Sequence, residues 1–260
     1  MRKNIKVAAS DLISIITPSY NSELFIEQTY KSICSQTYQN WEWVVTDDNS
    51  SDNTWELLKQ ISASNPKVKV YQNRVNSGAA VSRNNSIAKS TGDYLAFIDS
   101  DDKWEPSKLE LQLKFMKDND YAFCFTAYSL INEKGDTINK TIDKRDESVA
   151  INYKDLLAKK VTLGCSTVML HKTAFRQIKM PLIRTGQDYA LWLSLLKEYN
   201  INAVLYPKVL TSYRIVAGSI SRNKLKKAMR QWSIYRKIEK IDLIKSMWYF
   251  LNYAWRAISR

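Results

Sequence analysis

Glycine motifs that bind nucleotide phosphates are missing from this 260-residue chain. Its six glycines include no Gly-x-Gly pair, which excludes a dinucleotide fingerprint, and no Gly-Lys-Ser/Thr triplet is present to form a P-loop. The single histidine, His171, follows an apolar run, and we interpret it as structural, which excludes a histidine-based triad or zinc centre. The three cysteines are far apart and favour small core residues of a cytosolic protein over a disulfide scaffold.

Long apolar runs are also missing. No stretch approaches the roughly 18–20 uninterrupted apolar residues that a membrane span requires. The first residues are followed by no long apolar run either, so we expect no secretory signal. These absences predict a cytoplasmic protein.

Negative charge is scarce at the end of the chain. Residues 222–260 carry eleven Lys and Arg against Glu239 and Asp242, which places +9 of the net +13 in this segment. We therefore predict a basic, aromatic, helical tail over 222–260, appended to a main fold over 1–221. Such a tail suits an anionic membrane surface or nucleic acid. Alternatively, its aromatic residues pack on the main fold and its lysines face water.

Apolar strand-like runs alternate with helix-like segments through the first 120 residues. This alternation predicts an α/β fold with parallel strands joined by right-handed crossovers. The predicted strands are 12–17, 42–46, 68–71 and 94–98, and the helices are 22–36, 51–61, 78–90 and 105–119. Farther along we predict strands at 121–131, 165–170 and 203–206, the last ending at Pro207, a polar loop at 135–148 and a helix at 187–199.

Polar side chains follow each of the first four predicted strands, where ligands bind in an open parallel sheet. The sharpest cluster is Asp99-Ser-Asp101-Asp102. Its three carboxylates would raise one another's pKa, and a divalent cation would relieve that conflict. Oxygen ligands of this kind suit Mg²⁺ or Mn²⁺. Asp102 fits a capping pattern with Glu105, so we assign it mainly to a helix cap and assign metal binding to Asp99 and Asp101.

Five ordered motifs resemble those of family 2 glycosyltransferases. They are Ile13-Ser-Ile-Ile-Thr-Pro-Ser-Tyr-Asn21, Ser35-Gln-Thr-Tyr38, Trp41-Glu-Trp-Val-Val-Thr-Asp-Asp-Asn-Ser-Ser-Asp-Asn-Thr54, Asn76-Ser-Gly78 with Ser82-Arg-Asn84, and Gly92-Asp-Tyr-Leu-Ala-Phe-Ile-Asp-Ser-Asp-Asp102. The resemblance covers about residues 10–221. It implies a GT-A fold, Rossmann-like with a mostly parallel sheet flanked by helices, with a nucleotide-binding half at 10–102 and an acceptor half at 103–221. The segments at 187–193, 212–214 and 219–221 resemble the subgroup that builds bacterial surface polysaccharides such as teichuronic acid, capsule and O-antigen.

The resemblance also implies roles for individual residues. Asp47 would shape a turn, and the remaining side chains would bind the substrates or the metal. Pro18 and Tyr20 would hold the base, Asp48 would accept a hydrogen bond from it, Arg83 would contact the nucleotide, Arg214 would handle the diphosphate, Asp99 would lie near the ribose and the metal, and Asp101 would bind the metal.

Asp188 begins an apolar helix and, from the residues alone, is equally a helix-dipole partner and a catalytic base. The resemblance favours the base, which deprotonates an acceptor hydroxyl in a single displacement with inversion. Related sequences often carry a histidine shortly after the Tyr-Arg pair. Here that stretch is Ile215-Val-Ala-Gly218, so either Arg214 handles the diphosphate alone or metal binding relies on Asp101 and waters.

The resemblance thus predicts a metal-dependent enzyme with Mn²⁺ or Mg²⁺ as cofactor. Its donor would be a nucleoside-diphosphate sugar, UDP by family habit. Its acceptor would be a saccharide, lipid-linked in some of these enzymes, which would place the protein peripherally at the inner face of the cell membrane.

Two other functions compete with this prediction. A sugar-nucleotide nucleotidyltransferase needs a glycine-rich phosphate loop, which residues 17–21 do not supply. A basic nucleic-acid-binding module fits the tail, but the acidic clusters would repel phosphate, so we expect no nucleic acid partner.

Overall fold

The computed structural model describes residues 11–216 and 224–259. The boundary predicted at 221 and the motif at 219–221 lie outside these ranges, so the division of the chain at that point stays a prediction. The structure confirms an α/β fold in which helices flank one central mixed sheet.

Ten strands form the sheet within the described ranges. They are β1 (Ile13–Ser19), β2 (Trp41–Asp47), β3 (Val68–Gln72), β4 (Tyr94–Phe97), β5 (Lys103–Trp104), β6 (Phe123–Ile131), β7 (Thr137–Ile142), β8 (Ala150–Ile151), β9 (Met169–His171) and β10 (Ala203–Arg214). Their order is β3-β2-β1-β4-β9-β6-β10-β5, with β7 paired to β6 and β8 paired to β10.

The helices connect and cover these strands. They are α1 (Ile26–Cys34), α2 (Thr54–Ser64), α3 (Ala79–Lys89), α4 (Lys108–Asp118), α5 (Tyr153–Leu157), α6 (Gln187–Glu198), α7 (Lys224–Ser233) and α8 (Leu243–Ser259). A π-helical segment, Ile234–Ile238, continues α7.

The first half of the sheet is parallel, as the strand–helix alternation predicts. β2 and β4 flank β1, and β3 pairs with β2, all in parallel. Both faces are covered, because successive residues of one strand enter different cores: Ile15 and Val45 lie in one apolar cluster, and Ile16 and Val44 lie in the other. The carboxyl ends of β1, β2 and β4 therefore meet at one edge of the sheet.

The second half of the sheet departs from the predictions in three places. The polar segment expected to be a loop at 135–148 contains β7, which is almost wholly exposed and adds to the edge of β6. The strand expected at 165–170 is a short 3₁₀ turn, Cys165–Thr167, followed by β9, which runs antiparallel between β4 and β6.

Pro207 does not end its strand, contrary to expectation. β10 continues to Arg214 and pairs in parallel with β6 on both sides of the proline. The pairing register shifts between Tyr206 and Val209, so Pro207 lies in an irregularity where its missing N–H breaks no ladder hydrogen bond.

His171 is structural, as predicted. Its ring stacks on Tyr94 with 4.7 Å between centroids, and its Nε2 lies 3.0 Å from the hydroxyl of Thr173. It has no place at the sheet edge that gathers the acidic residues.

The first part of the basic tail packs into the main fold. Ile234 and Tyr235 are fully buried in the larger core cluster, and the Tyr235 hydroxyl donates to the backbone oxygen of Leu157 at 2.6 Å. Glu239 accepts a hydrogen bond from the Tyr153 hydroxyl at 2.6 Å, and burial together with Glu239 raises the pKa of Tyr153. The aromatic residues of this part thus follow the second of the two alternatives, in which they pack on the main fold.

Candidate active site

The loop after β2 is built by two adjacent aspartates. Asp47 accepts hydrogen bonds from the backbone N–H and hydroxyl of Ser50 and from Gln72, which confirms its predicted role in the turn. Asp48 is also buried, and it accepts from the side chain of Asn73 at 2.7 Å and from the backbone N–H groups of Ser77 and Gly78 at 2.9 and 2.7 Å. The bond from Asp48 to a base stays a prediction, and in this structure its carboxylate fastens the loop before α3 to the end of β2.

Pro18 and Tyr20 lie at the end of β1, beside this loop. Pro18 is buried within the strand and pairs with Thr46 of β2. The Tyr20 ring is 49% exposed, so its face is accessible to a stacking partner. The Asn21 side chain accepts from the backbone N–H of Ser51 at 2.9 Å, which ties the loops after β1 and β2 together.

Arg83 projects from α3 and forms an ion pair with Asp99, the residue two positions after β4. Arg83 is only 5% exposed, and its Nε and Nη1 atoms find no hydrogen-bond partner among the described residues. Burial disfavours the charged form, but Asp99 and, more weakly, Asp188 outweigh it and raise the pKa of Arg83. Unsatisfied donors on a permanently charged group fit the predicted contact with an anionic ligand.

Asp102 does not cap a helix, contrary to our assignment. It is fully buried and accepts hydrogen bonds from the hydroxyl of Ser166 and, at 2.8 Å, from the backbone N–H of Arg214. The following helix, α4, begins only at Lys108, after Ser107. Burial, then Asp101 and Asp99, raise the pKa of Asp102 well above its usual value. Asp102 thus joins the turn after β4 to the end of β10.

The ionised form of the Asp101 carboxylate is disfavoured in this turn. Burial first, and the neighbouring Asp99 second, raise its pKa to about 6. The described residues contain no set of three acidic, histidine or cysteine side chains arranged to hold a metal. Two carboxylates are nevertheless enough for Mg²⁺ or Mn²⁺, which complete their shells with water and substrate phosphate. Asp99 and Asp101 therefore fit the implied metal.

The guanidinium of Arg214 donates its hydrogen bonds to other groups of the protein. Its Nε donates to the backbone oxygen of Asp101 at 2.7 Å, its Nη1 donates to the backbone oxygen of Glu133 at 2.8 Å, and its Nη2 donates to the side chain of Gln28 at 2.9 Å. The guanidinium also lies 4.8 Å from the centroid of the Phe25 ring. The predicted contact with a diphosphate stays a prediction, and the contacts present position the backbone of Asp101.

Asp188 and Asp99 line one cavity of about 570 Å³. Asp188 lies in the first turn of α6, which begins after Gly186, a residue in the left-handed region with φ +77°. Among the described residues no group donates a hydrogen bond to the Asp188 carboxylate. It lies at the N-terminus of α6 and lines the cavity. The structure thus brings Asp99, after β4, and Asp188, at the start of α6, to the same cavity.

Sequence reasoning missed two contributions to this site. Ser166 accepts a hydrogen bond from the backbone N–H of Asp99 at 3.0 Å and donates to Asp102, so it fixes the turn that carries both acids. The tail helix α7 supplies Lys227, Arg230 and Gln231 to the cavity wall. Neither contribution could be recognised from the sequence, because a single serine or a basic helical segment has the same local pattern whether or not it contacts a site.

Comparison with known proteins identifies the family. The model of glycosyl transferase family 2 matches residues 14–179. TuaG of Bacillus subtilis strain 168, a glycosyltransferase provisionally assigned to teichuronic acid biosynthesis, is 43% identical over 249 residues, or 96% of this chain and 97% of that protein. The Escherichia coli protein WfgD, a UDP-Glc:alpha-D-GlcNAc-diphosphoundecaprenol beta-1,3-glucosyltransferase, is 38% identical over 242 residues, or 93% of this chain and 92% of that protein.

A solved structure shares the fold. The mannosyltransferase PcManGT of Pyrobaculum calidifontis, in complex with GDP-Man and Mn²⁺, superposes with a TM-score of 0.65 at 18% identity, covering 91% of this chain and 66% of that one. The sheet edge and the acidic turn after β4 therefore lie in a GT-A glycosyltransferase fold. The chain belongs to glycosyl transferase family 2 and is a glycosyltransferase.

Proposed function

We propose that this enzyme transfers a sugar from a UDP-sugar to a lipid-diphosphate-linked saccharide, with inversion, in bacterial surface-polysaccharide biosynthesis. One observation carries the proposal: Asp99, after β4, and Asp188, at the start of α6, line the same cavity. A donor held at the sheet edge and an acceptor held in that cavity would meet between the two carboxylates.

The donor half of the proposal depends on Asp99, Asp101 and Arg83. A divalent ion bound by the two aspartates would neutralise charge that develops on the leaving diphosphate. Arg83, buried and with two unsatisfied donor nitrogens, would bind the anionic nucleotide beside them. UDP as the nucleotide is supported by the name of WfgD, which specifies UDP-Glc. Mn²⁺ is supported by its presence in the PcManGT complex.

The base in this proposal is Asp188. Its carboxylate has no hydrogen-bond donor from the described protein, so it is available to accept the proton of an acceptor hydroxyl. A base on the acceptor side of the sugar favours direct displacement. The name of WfgD specifies a β product, and UDP-glucose is α-linked, which supports inversion as the outcome.

The acceptor half is supported by positive charge in the same cavity. Lys140, Lys159, Lys227 and Arg230 line it alongside Asp188. A neutral saccharide would need no such charges, whereas an acceptor joined to a diphosphate would. The name of WfgD includes a diphosphate-linked acceptor. A lipid-linked acceptor would bring this enzyme to the inner face of a membrane as a peripheral protein.

The test has a binding step and a transfer step. We expect UDP with Mn²⁺ to raise the melting temperature of the wild type, and this rise to be lost in Asp101→Asn. We then expect transfer from one member of a panel of UDP-sugars to a synthetic GlcNAc-diphosphate-lipid, with the anomeric configuration of the product read by NMR. A chain that UDP and Mn²⁺ do not stabilise, or a product that retains the donor configuration, contradicts the proposal.

A further inference from the structure

The last helix exposes an unusual amount of apolar surface. Ile244 is 81% exposed and Trp255 is 73% exposed, and four further large apolar side chains of α8 are at least half exposed. The full set is Leu243, Ile244, Met247, Trp248, Leu251 and Trp255. At 3.6 residues per turn these six positions share one face of the helix, on an arc of roughly 140°.

The orientation of this face is set by the opposite side of the same helix. Ser246 and Tyr249 are buried, and Phe250 packs edge-on against Trp232 of α7 with 5.5 Å between ring centroids. Asp242 accepts a hydrogen bond from the backbone N–H of Lys245 at 2.9 Å and so fixes the start of the helix. The exposed stripe is therefore a defined surface of the folded protein.

The apolar surface extends toward α7. Met229 is 73% exposed and, with Trp232 and Phe250, lines a groove of about 640 Å³ between the two helices. Arg236 and Lys237, both exposed, also line it. An apolar surface bordered by cations is typical of helices that lie in the headgroup region of a bilayer.

Cations flank the stripe along the chain, and one of them, Lys245, is paired with the exposed Asp242 at 3.1 Å. Arg236, Lys237, Lys240 and Lys245 are all exposed, and the described part of the tail contains nine Lys and Arg against two acids. A second copy of the chain placed on this face would bring two such groups of like charge together, whereas an anionic surface would attract them. Charge complementarity thus favours an anionic surface over a second copy of the chain as the partner of this face.

We propose that the apolar face of α8 docks into an anionic lipid bilayer, with the helix axis parallel to the membrane plane. Its six large side chains enter the boundary between headgroups and acyl chains, and the neighbouring lysines and arginines contact lipid phosphate. No helix among the described residues has the length and hydropathy to cross a bilayer. The protein therefore binds the surface through this face.

The helix α7 connects the docked face to the candidate active site. The α7 helix packs against α8 and supplies Lys227 and Arg230 to the cavity that contains Asp188. Arg230 lines both that cavity and the groove between α7 and α8, so docking would bring the cavity close to lipid headgroups, where a lipid-linked acceptor presents its diphosphate. This second step rests on the proposed function, whereas the docking itself does not.

The experiment is sedimentation of the full chain with phosphatidylcholine vesicles, with and without phosphatidylglycerol. We expect the wild type to bind the phosphatidylglycerol vesicles. In the double variant Ile244→Ser/Leu251→Ser we expect binding to weaken by about tenfold or more. Two apolar side chains that the wild type would transfer from water into the bilayer are then missing. Leu182→Ser is the matched control, because Leu182 is 71% exposed on a loop before α6, and its loss should leave binding within about twofold.

Tryptophan emission gives a second readout. On binding we expect a blue shift and quenching by brominated lipid, most of which disappears in Trp248→Phe/Trp255→Phe. Stabilisation by UDP and Mn²⁺ should be the same in all variants, which separates a failure of docking from a failure of the proposed donor binding.

Three outcomes would overturn the inference. The first is equal vesicle binding by the wild type and Ile244→Ser/Leu251→Ser. The second is equal binding to vesicles with and without phosphatidylglycerol. The third is a wild-type dimer, seen by sedimentation velocity, that these substitutions convert to a monomer while the wild type binds no vesicle.

Discussion

Asp188 is the residue on which the proposed chemistry depends most. Replacing it with asparagine keeps the shape and removes the ability to accept a proton. We expect Asp188→Asn to lower kcat by about a hundred- to ten-thousand-fold while the Kd for UDP stays unchanged. Steady-state kinetics and calorimetric titration of UDP measure the two quantities. Asp118→Asn, an exposed substitution at the end of α4, is the control. A variant at Asp188 with wild-type kcat would rule out the base.

Arg214 acts on the acidic turn through the backbone of Asp101. A lysine at this position keeps the charge but has no planar fork, so the oxygens of Asp101, Glu133 and Gln28 lose donors. We expect Arg214→Lys to lower the free energy of unfolding by roughly 2–3 kcal/mol. Chemical denaturation measures it, and Arg176→Lys on the surface should change it by less than about 0.5 kcal/mol. An unchanged stability would show that the hydrogen bonds of Arg214 contribute little to the fold.

Lys108 gives the fold a dependence on pH. It is fully buried, its ammonium donates to Gln112 at 2.6 Å and lies 4.3 Å from the centroid of the Trp104 ring, and burial lowers its pKa to about 7. An unfolded lysine keeps its proton up to about pH 10. Between these values the unfolded chain binds more protons than the folded chain, so stability rises with pH.

We therefore expect the wild type to gain stability relative to Lys108→Met, on the order of 3 kcal/mol, between about pH 7 and about pH 10. Urea denaturation at a series of pH values measures the difference. The exposed substitution Lys154→Met is the control and should show no comparable slope. A pH-independent difference between wild type and Lys108→Met would contradict the lowered pKa.

At the scale of elements, Gly186 lets the tail approach the active site. It has φ +77°, and a Cβ there would lie 3.0 Å from Cδ of Arg230 and 3.1 Å from Cδ1 of Ile234. We expect Gly186→Ala to destabilise the protein by about 1–2 kcal/mol, because the backbone is strained and α7 must move. Thermal denaturation measures the loss. Gly164→Ala is the matched control, because its Cβ would make only ordinary contacts at 3.5 Å or more. Equal stability of the two variants would contradict this packing.

The sequence predicts the parallel half of the sheet well because its signals are local. Apolar runs such as the one at Ile13–Ser19 are bounded by polar turns, and each is buried on both faces. The loop predicted in place of β7 and the end of β10 predicted at Pro207 are wrong, because tertiary pairing decides both. An exposed, polar β7 gains its hydrogen bonds from β6, and Pro207 is tolerated only because the register shifts there.

The same distinction holds for the site. The sequence marks Asp99 and Asp101 as candidates because they follow directly on an apolar strand, and the family resemblance adds Asp188. The structure places Asp99 and Asp188 at one cavity, and the roles of all three residues stay predictions. It could not assign Asp102, whose capping pattern was a coincidence of spacing with Glu105. The bond between Asp102 and Ser166 joins residues 64 positions apart, and nothing local marks it.

For the whole molecule, the tail contributes to stability. Ending the chain at residue 221 would expose the core surface that Ile234 and Tyr235 now cover, and these side chains are 1% and 0% exposed. We expect that truncation to lower Tm by at least about 10 °C. A chain ending at residue 241 keeps both side chains and loses only Tyr249 from the core cluster, so its Tm should fall less. Calorimetry compares the three lengths, and a full-length Tm in the shortest chain would show that the tail is dispensable.

The position of Arg230 between Gly186 and the cavity has a consequence for how such enzymes diversify. In the proposed function the donor is bound near the amino terminus, by the turns after β1, β2 and β4, while α7 forms part of the wall of the cavity that contains Asp188. Recombination of the gene upstream of this wall would exchange the two specificities as separate modules. New pairings of donor and acceptor would then arise in a single genetic event.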